Sequence, residues 1–487
     1  MSYSQAEQRV QNDYLSALQA GAVTPASSVI GSLNFILLIG WLLACRSVSD
    51  LTFQRSRLLV FISIAYISLW NLVYTRSIGV VGSIGVGLNS ALCIILAVNF
   101  VLLHDPRSFK RLILQPAAGA LTANGPTDLK RDADVHDERG PKFILTWEPM
   151  PKLIWRRLFW VLDLITGFRG VHWSWNPSPS PPYHPSLSNA CSSRTASFPR
   201  NGSHFLIDYF LIDLIKCLMI ADPYFIGYPS RRPPPHIAPY ITSPLGLYSY
   251  RMLLGAAGVY IAIDLVFAFA VLLQVNILGP SVLGLNASPV TFPPLWGSPR
   301  AVLRKGLKGF WGETWHQILR RHFVSIGDAV AEFLLRNDYP GSCGCPSTDK
   351  QRHGCSKASV ARPRIRVVTV FLLSGALHAC ASYTLLGPTR PWVPFLFFAL
   401  QPLGMAIQSA CSQHFVGSYL CDSPGRWKTL LVRQGSNFGF TILWLWAWSG
   451  MFLDDMTNGG IWLLEPIPIS FIRGLGFSKE DKRFWCW

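Results

Sequence analysis

Two short stretches hold the residues best suited to chemistry. The sequence FWGETWHQ at 310–317 sets His316 among Trp311, Trp315 and Gln317, with Arg320 and Arg321 just beyond. The sequence LSGALH at 373–378 places His378 inside an apolar run of about twenty residues, long enough to span a bilayer. An imidazole in hydrocarbon is costly, so an ionisable side chain at membrane depth marks a functional site by default. Neutral imidazole accepts a proton near neutral pH, which suits it to general-base work on a hydroxyl. Ser374 and Ser382 flank His378 on one helical face, with Gly375 and Ala379 nearby. Small residues let a helix or a ligand approach closely. A histidine hydrogen-bonded across helices for packing fits the same residues.

The first stretch needs an element to hold it. On a helical wheel, 311–322 puts Trp311, Trp315, Ile318 and Leu319 on one face and Glu313, Gln317, Arg320 and Arg321 on the other. His316 falls at the border, where it can face a cavity mouth. An amphipathic anchor whose His merely edges the polar side is an equally good reading of that wheel.

The 487 residues set the class. Half are hydrophobic and 14% are charged, against roughly 25% charged in a soluble globular chain. The apolar runs are continuous rather than alternating, which argues against a β-barrel. The expected fold is all-α: a polytopic integral membrane protein of about eight transmembrane helices (seven to nine) with interfacial amphipathic helices. Candidate spans are 29–45, 58–75, 78–103, 204–226, 252–279, 367–386, 392–412 and 437–453, the first serving as an uncleaved anchor. The segment 152–168, with Trp155 and Trp160 beside Arg156 and Arg157, suits the headgroup boundary.

A net charge of +17 raises nucleic acid as a partner. The basic residues instead occupy loops between apolar runs, as cytosolic loops facing anionic lipid do, and no nucleic-acid module is present. They place 46–57, 104–203, 280–366 and 413–436 on the cytosolic side, so that the sequons at Asn201 and Asn286 stay bare. The chain divides into N-terminal transmembrane helices (1–103), a basic, Pro/Ser-rich cytosolic loop (104–203) and a second membrane domain (204–487). The eleven cysteines are scattered, unlike a disulfide scaffold. Cys343, Cys345, His353 and Cys355 miss the usual zinc spacing, which favours a solvated loop over a metal site. Asp208, Asp213, Lys216 and Asp264 lie within apolar runs. Asp213 and Lys216, three apart, can pair on one helical face, or the group can line a transport path.

At these residues the chain resembles a known family. The segment 292–323 looks like the wax synthase domain of the membrane-bound O-acyltransferase type. The likeness rests on Phe292, Pro293, Pro294, Gly297, Phe310, Trp311, Trp315, His316, Gln317 and Arg320. SGALH at 374–378 is similar to the family's Ser-Gly-x-x-His. RGVHW at 169–173 resembles its Arg-Gly-x-Gly-Trp, with His172 where the family has Gly. The insertion at 337–364 is longer than the usual connection.

The resemblance implies transfer of an acyl group from acyl-CoA to a hydroxyl in the endoplasmic reticulum membrane. The branch it looks closest to is that of fungal enzymes acetylating terpenoid or meroterpenoid secondary metabolites. It further implies His378 as general base and His316 as its catalytic companion. Trp311, Trp315, Gln317 and Ser374 would contact substrate. The phosphates of acetyl-CoA call for a basic cytosolic entry, which Lys305, Lys308, Arg320 and Arg321 offer on this topology. CoA is a good leaving group, so the reaction requires neither a metal nor a bound cofactor. The expected partners are acyl-CoA, a hydrophobic alcohol and the bilayer. A long-chain wax ester synthase is the alternative within enzymes; a membrane transporter is the alternative from another class.

Overall fold

The computed structural model describes residues 3–26, 30–116, 143–175, 194–228, 230–336, 349–419, 426–476 and 481–486. They fall into two compact units. One comprises Met1–His104, Asp208–Asp264 and Leu295–Trp487; the other comprises Asp105–Ile207 and Leu265–Pro294.

The chain is mostly helical. Five helices among the described residues are long and apolar enough to cross a membrane: Asp50–Tyr74, Val80–Leu103, Pro244–Leu278, Ser359–Tyr383 and Trp392–Ser412. The count of eight is not reached on those criteria. Leu33–Ala44 has 12 residues, too few for a bilayer on its own. Arg194–Ile220 carries Asp208, Asp213 and Lys216 in its apolar half. Arg426–Asn458 is tempered by its tryptophans and by Asp454 and Asp455. The segment 349–364, expected as loop, extends the His378 helix, Asp349–Tyr383. Cys343 and Cys345 lie outside the described residues, as do the side chains of His353 and Cys355.

Contacts inside the larger unit define its two ends. Arg57 donates to the carbonyl of Leu102, and Asn99 to that of His322. Gly327 packs on Arg366. At the other end, Thr24 pairs with Thr75, Arg76 donates to Tyr383, and Gly387 touches Asn458. Arg57, Arg320, Arg321 and Arg366 therefore gather at one end, which makes it cationic.

Asp213 and Lys216 are both buried, at 0% and 3% exposure, but do not pair with each other. Asp213 accepts from Ser470 Oγ and from the amide of Ile472. Lys216 donates to Tyr3 Oη and to the carbonyls of Trp462 and Leu464. Each charge finds partners on the C-terminal segment, which the helical spacing alone does not reveal. Arg473, itself 0% exposed, bridges Glu465 and Asp481 nearby.

The smaller unit is not a plain loop. Lys110–Pro116 and Phe143–Pro149 form an antiparallel hairpin with Arg111 opposite Glu148. The helix Ile154–Thr166 follows. It leaves Trp155 and Phe159 exposed and buries Trp160 edge-on against Trp173, with ring centroids 4.8 Å apart. Exposed aromatic residues beside Arg156 are what an interfacial helix presents. Asp163 on this helix accepts from His172 Nε2 at 2.9 Å, Asn286 Nδ2 at 2.8 Å and Arg111 Nη1 at 3.3 Å. Burial pushes its carboxyl up, but His172 and Arg111 outweigh burial and hold it below the usual range. The histidine in RGVHW thus has a partner that a glycine would lack. Arg169 in the same stretch donates to the carbonyls of Pro293 and Pro294.

Candidate functional site

The helix drawn through 311–322 breaks in two. Phe310–Thr314 makes a single π turn, and Trp315 is extended. The next helix begins only at Arg320. Side chains that bond backbone carbonyls compete with helix formation, and here two of them do so. Gln317 Nε2 donates to the carbonyls of Trp311, at 3.0 Å, and Trp315, at 2.6 Å. Arg320 Nη1 donates to the carbonyl of Gly312 at 2.7 Å and to Gln317 Oε1 at 3.2 Å. The amide of Gly297 ties off the turn at the carbonyl of Thr314. A Cβ at Gly297 would sit 1.8 Å from the carbonyl oxygen of Glu313, so only glycine fits.

This turn projects His316 sideways into an aromatic nest. Its ring lies 5.5 Å from Trp315 and 5.9 Å from Trp296. Trp296 is stacked at 4.1 Å on Tyr260. His316 Nδ1 is buried with no hydrogen-bond partner. Burial pushes the imidazole down to about 4, so it is neutral near neutral pH. Neutral imidazole offers one N–H donor and one acceptor nitrogen.

His378 lies on the Ser359–Tyr383 span, toward its Tyr383 end. Its ring stacks on Phe398 at 4.5 Å, with 6° between the planes, and meets Phe452 edge-on at 5.2 Å. Gly375, one turn earlier, lets the Trp392–Ala399 helix approach: a Cβ there would lie 2.8 Å from the carbonyl oxygen of Phe395. The small-residue face thus serves helix packing and brings Phe398 onto the imidazole. His378 is half-buried. Among the described residues nothing hydrogen-bonds either ring nitrogen.

The two histidines lie within electrostatic reach of each other. A chain of ring contacts links them: His316 to Trp315, Trp315 to Trp311 at 6.0 Å, Trp311 to Phe398 at 5.8 Å, and Phe398 to His378. The larger unit therefore gathers His316, Trp311, Trp315 and His378 around one aromatic cluster, the candidate chamber. Ser374 is half-buried one turn from His378. Gln317 and Arg320 are engaged in holding the turn, and Arg321 opens the following helix beside them. Trp296, Phe398 and Phe452 belong to the chamber although no spacing argument selects them. They are aromatic residues in an aromatic-rich chain, which singles out none of them. Chemically, the cluster offers two imidazoles without hydrogen-bond partners among the described residues, in an apolar setting, with His316 on the side of Arg320.

Comparison with known proteins bears on the same residues. Residues 292–400, which include both histidines, match the sequence model of the Membrane bound O-acyl transferase family. An O-mevalon transferase of Penicillium terrestre is 27% identical over 67% of this chain and 66% of its own length. An O-mevalon transferase of Aspergillus niger is 28% identical over 47% and 46%. An acetyltransferase of an Arthrinium species is 23% identical over 60% of each. The chain thus spans from about half to two thirds of the length of these curated relatives. No solved structure matches. The resemblance carried by the Trp-His-Gln and Ser-Gly-x-x-His residues is borne out: this chain resembles the membrane-bound O-acyltransferase family and is similar to fungal acetyl- and mevalon-transferases.

Proposed function

We propose that this protein is an acyl-CoA-dependent O-acyltransferase of the endoplasmic reticulum membrane. It transfers a short acyl group, acetyl first among them, to a hydroxyl of a hydrophobic secondary metabolite of terpenoid or meroterpenoid type. The observation that carries this reading is His378: an imidazole on a membrane-spanning helix, without a hydrogen-bond partner among the described residues and within electrostatic reach of His316.

In this reading His378 takes the proton from the acceptor hydroxyl as its oxygen attacks the thioester carbonyl carbon. The C–S bond then breaks, and the imidazolium returns the proton to the departing CoA thiolate. Neutral His316 donates an N–H to the developing oxyanion in the same reading. Trp311 and Trp315 supply apolar walls for the acceptor. Arg321 and its cationic neighbours attract the phosphates of the donor, which arrives from the aqueous side. The acceptor enters from the bilayer.

The test is acyl transfer by microsomes containing the protein. Labelled acetyl-CoA is offered with a panel of hydroxylated terpenoids, and in parallel a long-chain acyl-CoA is offered with fatty alcohols. Ester formation in the first arm is expected. Ester only in the second arm makes the protein a wax ester synthase. Ester in neither arm, with the protein present in the membrane, removes the acyltransferase reading and leaves the transporter.

A further inference from the structure

One buried amide fixes two walls of the chamber from outside the Trp-His-Gln segment. Gln401 is 0% exposed. It begins the Gln401–Tyr419 helix, just past the break that ends Trp392–Ala399. Its Oε1 accepts the indole N–H of Trp311 at 3.0 Å and that of Trp444 at 3.2 Å. Its Nε2 donates to the carbonyl of Phe397 at 2.7 Å. One side chain thus ties the turn that carries His316, the Arg426–Asn458 helix that carries Trp444, and the backbone beside Phe398, on which His378 stacks. An amide in an apolar span is stable only if its polar atoms are paired. Both indoles pack on the buried cluster of Leu307, Phe371, Phe397, Phe398 and Met405, whose Phe398 carries the His378 stack.

We propose that Gln401 is a positioning and specificity-determining residue of the acyl-transfer chamber. It holds the Trp311 and Trp444 indoles at fixed tilt, and this sets the shape of the acceptor pocket beside His378. The inference rests on the acyltransferase reading. It adds that discrimination among hydroxyl acceptors by ring bulk runs through Gln401, a residue that touches no reacting atom. The donor is gripped chiefly through its charged part, so its binding does not depend on the tilt of the indoles.

Gln401→Leu keeps the volume and removes both acceptor bonds, freeing two buried indole donors to rotate in search of partners. Gln401→Glu is the conservative variant. In an apolar site its carboxyl stays protonated, accepts from the indoles and donates to Phe397. Both are assayed in microsomes, matched for protein that is monodisperse after detergent extraction. With Gln401→Leu, the KM for a bulky ring alcohol should rise about tenfold or more, the scale of an orphaned buried donor. Its preference over a small linear alcohol should collapse, while the KM for acyl-CoA stays within about twofold. Gln401→Glu should restore the preference. In a Trp311→Phe background, which lacks the indole donor, Gln401→Leu should have a smaller further effect than in the unaltered protein.

An unchanged acceptor preference in intact Gln401→Leu protein overturns the inference, as does an effect fully additive with Trp311→Phe. If Gln401→Leu fails to accumulate, the Glu variant and Trp444→Phe decide: normal preference in Trp444→Phe together with lost preference in Gln401→Glu counts against it. No transfer by the unaltered protein would overturn the acyltransferase reading itself, and this inference with it.

Discussion

Replacing His378 by phenylalanine tests the proton-transfer role proposed for it. Phenylalanine keeps a flat ring that can stack on Phe398 and meet Phe452, the two contacts that orient the imidazole at 4.5 and 5.2 Å. It removes only the ring nitrogens. Since nothing among the described residues hydrogen-bonds those nitrogens, the change orphans no buried donor or acceptor. The stability change should stay within about 1.5 kcal/mol, the range of volume-conserving core swaps. His378→Ala also forfeits two ring contacts worth about 0.5–1.5 kcal/mol each, so Phe is the cleaner probe. Loss of general-base catalysis costs on the order of 10²- to 10⁴-fold in rate, or roughly 3–5 kcal/mol of barrier. The chemical effect therefore exceeds the structural one. The assay is turnover of labelled acetyl-CoA with a hydroxylated acceptor, normalised to membrane-inserted protein. Transfer within about twofold of the unaltered protein would remove His378 from the base role, because no base acting in the transition state is so dispensable.

Four further expectations follow from individual residues. Arg320 ties the carbonyl of Gly312 and Gln317 Oε1, so Arg320→Gln should loosen the His316 turn and raise the KM for both substrates. Arg321→Gln should raise the KM for acyl-CoA alone, by a factor that shrinks with added salt; an acceptor KM that moves equally would place Arg321 with the turn. Asn201 Nδ2 donates to Asn276 Oδ1 and Asn286 Nδ2 to Asp163 Oδ1, each at 2.8 Å. Neither amide is free to carry a glycan, and glycosidase treatment should leave the mass unchanged; a shift lost in Asn201→Gln refutes this. Burial pushes His316 to about 4 and His322 to about 3, against about 6.5 in the unfolded chain. The unfolded state then binds more protons between those values, so stability is full above about pH 6.5 and falls as pH drops toward 4 and below. Thermal melts in detergent should show that slope, and His316→Gln should lessen it; a melting temperature constant from about pH 7 to pH 5 contradicts the assignment.

The two histidines are legible in the sequence because each breaks a local rule. His378 is ionisable in hydrocarbon, and His316 interrupts an aromatic, basic segment. Their meeting is not legible, since it depends on three helices and a turn folding back on one another. The wheel through 311–322 failed for a local reason. Its period counts only side-chain polarity, while the conformation is set by where Gln317 and Arg320 send their hydrogen bonds. The same blindness affects Asp213 and Lys216. Helical spacing proposes them as partners, yet the tail segment around 462–472 outcompetes that pairing for both. The long apolar helices were readable because continuous hydrophobicity needs no partner to be recognised. The hairpin at 110–116 and 143–149 was not, since its strands are separated by a long polar stretch and lie inside a basic segment. Gln401 shows what a sequence reading can still gain. A lone amide in an apolar run obeys the same logic as His378: a polar group placed where water is absent must be satisfied by the protein. That logic flags Gln401 as readily as it flags the histidine. That its partners are two indoles, one of them in the ring-contact chain from His316 to His378, depends on folding that the sequence does not display.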